Sequence, residues 1–361
     1  MPVLDTVSQV VELADPKLKK VAKRVLRTLQ LEAEKAVAHH AEPATFRLAP
    51  DPDSTERIFL SRFKELTAAK QQSAVVKVMA SVNAPEAERL AFFGDLSKVD
   101  LKAETPVEQQ VRNRPFPDEL KFPKSHLQSV ISGQVPLLIP HFVIAPVDGV
   151  ITPQQVTDKL EFRIHRVRCD DETNPEFAGD DEIALGGLSV DETGETKQVG
   201  QFTVRNDFDD GEEKVYGPPK RFTFFNLQEG TTFPKDYAVT LVLAEKDMGG
   251  LHDFIVKLWE KVKDKVLEYA AAALGALVGT ATFPGLGTII GAVVGWALGK
   301  LIEWLIGLFS DDIFAPATLT CKIHGLANRF AGNKTDSPEG LVTFSGYGGR
   351  YSLTYDWRKF A

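Results

Sequence analysis

Carboxylates crowd two short stretches of the chain. Residues 170–182 hold seven Asp or Glu within 13 positions, and residues 207–213 read Asp-Phe-Asp-Asp-Gly-Glu-Glu. Asp247 follows an apolar run that ends at Ala244. Calcium takes six to eight oxygen ligands from flexible acidic loops. Like charges held close together otherwise need a wide solvent gap. Asp171, Glu172, Asp181, Glu182, Asp209, Asp210 and Asp247 are therefore candidate Ca2+ ligands. The competing reading makes them solvated acids of ordinary turns.

No pattern for catalysis stands out. HExxH, GxSxG and the phosphate-binding GxxxxGK[ST] are missing, and the seven histidines are scattered. Gly285, Gly287 and Gly291 mimic part of a dinucleotide loop, but no strand precedes them and no βαβ unit surrounds them. Cys169 and Cys321 are too few for a disulfide framework or a CxxC-based zinc site, and read as buried thiols. The chain carries −8 overall. Residues 1–150 hold 20 Lys+Arg against 19 Asp+Glu, leaving 22 against 31 in the remainder. That acidity argues against a nucleic-acid surface. The expectation is a protein that is not an enzyme.

The most distinctive spacing belongs to glycine. Gly287, Gly291, Gly295 and Gly299 recur every fourth residue, and Gly275 and Gly279 repeat the interval upstream. Glycine inside a helix costs about 1 kcal/mol relative to alanine, so such a row calls for close approach of another backbone. Residues 270–309 are interrupted by charge only at Lys300 and Glu303, one turn apart and able to pair. Residues 286–309 would rise roughly 36 Å as a helix, enough to cross a bilayer. Pro284-Gly285 predicts a turn, and Ile255, Leu258, Trp259, Val262 and Val266 make 251–268 an amphipathic first arm. Lys257, Lys261, Asp264, Lys265 and Glu268 form its polar face. Trp296 and Trp304, with Trp259, suit interfacial depths if the hairpin enters a membrane, or core filling if it is buried in protein.

The elements around it divide in two. Asp15-Pro16 predicts a helix start, followed by an apolar stripe from Leu18 to Leu29 among Lys17, Lys19, Lys20, Lys23, Arg24 and Arg27. Such a basic helix lies on an anionic membrane or turns a solvated face over a core stripe. Further helices open near Ser54 and at Pro85, the latter with Gly94 as its stop. Alternating runs predict strands around 160–167, 183–188, 202–204, 222–225, 237–244, 317–324, 341–344 and 351–357. The expected fold is α+β: a helical domain at 1–125, a proline-rich connector at 126–157, and an antiparallel β-sandwich built from 158–250 and 314–361. A hydrophobic helical hairpin, 251–313, interrupts the sandwich.

The acidic loops on a sandwich resemble C2 domains, over about residues 158–250, which implies calcium and membrane docking. The string DETNPEFAGDDEIALGG resembles one in uncharacterised bacterial proteins. The hairpin resembles that of pore-forming toxins such as the channel-forming colicins, in hydrophobicity, length and Pro-Gly turn. The expected function is a membrane-inserting, pore-forming bacterial toxin or effector. The alternative is a structural protein that buries the hairpin in an assembly. The toxin reading implies a lipid membrane as partner, a homo-oligomer once inserted, and a delivery machine or chaperone. The N-terminus lacks a basic segment followed by an apolar one, so a route other than a secretory signal is expected.

Overall fold

A computed structural model describes residues 13–132, 134–135, 157–173, 182–193, 195–230, 233–245, 251–275, 286–309, 314, 316–346 and 348–361. Gly279, Asp181 and Asp247, the Pro284-Gly285 turn and the prolines at 136–153 lie outside these residues.

The fold is α+β, with helices at the N-terminus and two antiparallel sheets later in the chain. Helix α1 spans Pro16–Ala41, and Asp15 caps it: its carboxylate accepts from the backbone N–H of Lys17 at 3.0 Å and of Leu18 at 2.8 Å. Helices α2 (Thr55–Glu65), α3 (Ala68–Val82) and α4 (Glu86–Phe93) follow. Gly94, at φ +61°, ends α4 in a backbone conformation that other residues rarely adopt. Two short helices, α5 (Val107–Arg112) and α6 (Lys124–Ile131), complete the set. Both fall where the sequence read connector or nothing, because each spans under three turns and is bracketed by proline.

All eight expected strands form: β1 (Lys159–Asp171), β2 (Ile183–Val190), β3 (Thr196–Arg205), β4 (Glu213–Asn226), β5 (Lys235–Glu245), β6 (Ala317–Ile323), β7 (Gly340–Gly346) and β8 (Gly349–Phe360). One sheet runs β4-β1-β8-β7 and the other β3-β2-β5-β6. Their inner faces enclose an apolar core. Phe162 stacks on Tyr355 at 5.0 Å and meets Trp357 edge-on at 5.0 Å, and Phe225 packs on Tyr237.

The second sheet is covered on its other face too. Along β5, Tyr237, Val239, Leu241 and Leu243 face the sandwich core, whereas Ala238, Val242 and Ala244 join the helical core. Strand β2 divides the same way, with Leu188 and Val190 turned to the helices. Burial on both faces explains why β2 is apolar almost throughout. Helices α7 (Leu251–Leu274) and α8 (Leu286–Phe309) lie between β5 and β6 in sequence. Those strands are antiparallel neighbours, in register from Lys235↔Ile323 to Leu241↔Ala317.

Candidate functional site: a sheathed apolar helix

Helix α8 is long and apolar enough to span a membrane over Ile289–Leu308, yet 78% of that stretch is buried inside the protein. It packs against α1, α3 and α7 and against the outer face of β5, β2 and β6. Ile290, Val294, Leu298, Leu301 and Leu305 are closed off from solvent. Trp296 is buried and Trp304 half-buried, while Trp259 of α7 is 1% exposed. The Lys300 ammonium meets Glu303 at 2.8 Å at the partly open end of the helix, as their spacing predicts. At its C-terminus, Lys77 of α3 donates to the carbonyls of Gly307 at 2.8 Å and Leu308 at 3.4 Å, a cation placed where helix carbonyls are unpaired.

Gly291, Gly295 and Gly299 are buried, and the first two meet the sheet instead of the second helix backbone that the four-residue spacing suggested. A Cβ at Gly291 would rest 3.5 Å from Val190 and 3.8 Å from Ala238. At Gly295 it would lie 2.9 Å from the Thr318 hydroxyl, tighter than van der Waals contact. Small residues on the outer sheet face, Ala238 and Thr318, let the helix settle that close. Gly275, at φ +67°, follows the last turn of α7, and Gly287 lies in the first turn of α8.

A buried ionic cluster ties the hairpin to the N-terminal helices. Lys265, expected on the polar face of α7, is buried, with its ammonium 3.0 Å from Glu32 of α1 and 2.8 Å from Glu108 of α5. Beside it, Lys35 of α1 pairs with Glu56 of α2 at 3.2 Å and donates to the Thr105 carbonyl at 3.0 Å. Glu56 also accepts from the Val107 N–H at 2.8 Å. Glu34, on the same helix, is held by Ser81 at 2.6 Å and Arg89 at 3.1 Å. Burial pushes the Glu32 carboxyl up to about 7 against the pull of Lys265, and raises Glu34 and Glu56 as well. Ordered this way, the charges are costly to bury and costlier to separate. Nothing in the local sequence of α1 marked Glu32 and Lys35 as interior; the one sign was the apolar residues on every side of them, Leu31, Ala33, Ala36 and Val37.

The two acidic stretches do meet, at one end of the sandwich. The Glu172 N–H donates to Asp210 at 2.6 Å, the Gly211 N–H to the Cys169 carbonyl at 2.9 Å, and the Cys169 N–H to the Glu212 carbonyl at 3.0 Å. Arginines answer several of the acids: Arg205 pairs with Glu212 at 2.6 Å, Arg166 with Glu213 at 3.1 Å and Arg168 with Asp170 at 3.5 Å. Asp171 pairs in register with Arg350 at the end of β1, and Glu182 directly precedes β2. Among the described residues, the carboxylates near enough to share one ion are instead Asp191, Glu195 and Glu229. Asp191 is already engaged by the N–H groups of Thr193 and Glu195 and by the Thr193 hydroxyl. Cys169 and Cys321 are free and buried, as their number suggested.

No protein-family model matches the chain, and neither a curated protein nor a solved structure matches it.

Proposed function

From this arrangement we propose that the protein is a membrane-inserting, pore-forming bacterial toxin or effector, non-enzymatic, in which α7 and α8 are the inserting hairpin and the described fold is its sheathed state. One observation carries the reading: among the described residues, the core between the two sheets contains none from α7 or α8. The hairpin is strung between two strands that pair with each other directly. It can therefore leave the helical core without unpairing β5 from β6 or opening the sandwich. What it would give up is burial of a 20-residue apolar stretch that lipid can cover equally well, together with the buried ion pairs of Lys265 with Glu32 and Glu108. The inserted form is expected to be a homo-oligomer in a lipid membrane, reached by a delivery machine or chaperone.

A second reading has its own observation. Gly291 and Gly295 are fitted to the sheet, which favours α8 as the permanent core of a structural protein. Dye release from liposomes, combined with protease protection of residues 286–309, separates the two. Leakage with protection of that stretch supports insertion. Full retention of dye, with the chain monodisperse beside the vesicles at every concentration, rejects it in favour of the permanent core.

A further inference from the structure

Residues 13–27 carry six Lys or Arg against one acid, Asp15, in a chain whose net charge is −8. Asp15 is buried and occupied by the cap of α1 and by His126, at 2.8 Å. The apolar stripe of α1 is sunk in the core, so the helix turns its cations outward. Lys20, Lys23 and Arg27 stand at i, i+3 and i+7, on one face. Lys20 and Lys23 are exposed and meet no acid among the described residues. Arg24, on the inner side, is spent on Asp95 at 2.8 Å.

A large apolar side chain stands exposed beside these cations. The Arg27 guanidinium lies 3.8 Å over the Phe92 ring and donates to the Phe92 carbonyl. Phe92 is 45% exposed, and Leu90, on the same short helix, 51%. The two stand at i and i+2 of α4, on different sides of it, so Phe92 is the one that flanks Arg27. Cations beside an exposed aromatic ring match the two layers of a lipid surface, anionic headgroups above and acyl chains below. Glu88, one turn before Phe92, is the acid that works against this match.

We propose that this face of α1 and the end of α4 dock on an anionic lipid surface, with Lys20 and Lys23 on the headgroups and Phe92 at the acyl boundary. The inference rests on the membrane-inserting reading and deepens it, because α1 packs directly on α8 and so brings the sheathed helix to the bilayer.

The test uses the full chain and two vesicle populations, phosphatidylcholine alone and phosphatidylcholine rich in phosphatidylglycerol, with flotation and dye release read on the same samples. The wild type should float with the anionic vesicles and not with the neutral ones. Lys20→Gln/Lys23→Gln should weaken flotation about 30-fold, from about 1 kcal/mol per lysine near an anionic surface. Phe92→Ser should also lose flotation, whereas Leu90→Ser, on another side of α4, should not. Lys214→Gln/Lys220→Gln, on strand β4, should leave it unchanged. Each substitution is on the surface, and circular dichroism confirms the fold. Equal binding to both vesicles, undiminished binding by the α1 variant, or loss in the β4 variant overturns the proposal. So does binding to polyglutamate without binding to vesicles, which would identify an acidic protein as the partner. Leakage that survives the α1 variant at unchanged flotation sinks the docking face and spares the insertion reading. Patch-dependent flotation with no leakage at all does the reverse.

Discussion

Replacing Lys265 with Met removes the cation from a carboxylate that cannot reach water. Glu32 is buried, and among the described residues its cationic partner is Lys265, at 3.0 Å. Taking one member from a buried ion pair costs about 3–5 kcal/mol, because the survivor keeps its desolvation and loses its compensation. Glu108 adds little, since it is half-open and retains Arg112. The cost is pH-dependent with a definite sign. Glu32 already holds its proton up to about pH 7 in the wild type, and further still without Lys265. The variant should therefore lose most against wild type near pH 8, where a bare carboxylate must be buried, and much less near pH 5, where Glu32 is neutral. Urea unfolding followed by tryptophan fluorescence reads this directly. Three of the four tryptophans, 259, 296 and 304, belong to the hairpin, so a Trp357→Phe background reports on it alone. Glu32→Met in addition should recover at least half of the loss, because an apolar pair of similar volume removes both charges. A double variant no more stable than Lys265→Met would refute the view of the cluster as a mutually compensating pair.

Three further outcomes are expected. The wild-type helical layer should lose on the order of 3 kcal/mol as pH rises from about 4.5 to 7, since a carboxyl whose folded pKa is raised stabilises the fold at low pH and loses that contribution through this window. Glu34 and Glu56 push the same way, and a melting temperature at the hairpin tryptophans that falls on acidification across this range would contradict it. Gly295→Leu should cost at least 1–3 kcal/mol by overpacking against Thr318, whereas Gly307→Leu, which meets open space, should be near neutral. Equal melting temperatures for the two would show that the helix–sheet approach is slack. Residues 157–245 joined by a short loop to 314–361 should retain the strand signal by circular dichroism, while their uncovered Leu188, Val190 and Val242 lower solubility; loss of that signal would mean the sandwich core depends on the helices.

Local pattern was legible and partnership was not. Asp15-Pro16 and Gly94 marked helix ends, and period-two alternation located each strand of the described residues, because caps and pleats act within a few residues. The glycine row read as a helix–helix seam, yet Gly291 and Gly295 meet the sheet, since helix and sheet both accept a backbone without side chains. Lys265 read as solvated because its neighbours Lys261, Asp264 and Glu268 are polar; its partner Glu32 lies more than 200 positions away. The acidic stretches pointed to an ion; Arg168 and Arg205 lie within seven positions of the Asp170 and Glu212 they meet, whereas Arg166 reaches Glu213 because β1 pairs with β4. Loop composition records charge, whereas its neutralisation depends on which strands are neighbours.

Because the hairpin hangs from two adjacent strands, it is a loop pinned at both ends. Only five residues separate Glu245 from α7 and seven separate α8 from Ala317. Each arm is roughly 36 Å long, so α8 can reach the far leaflet only if α7 brings the chain back. Such a chain crosses a bilayer an even number of times or not at all. The sandwich and both termini then stay on the face of arrival, and a fluorophore at residue 361 should remain open to an external quencher after insertion.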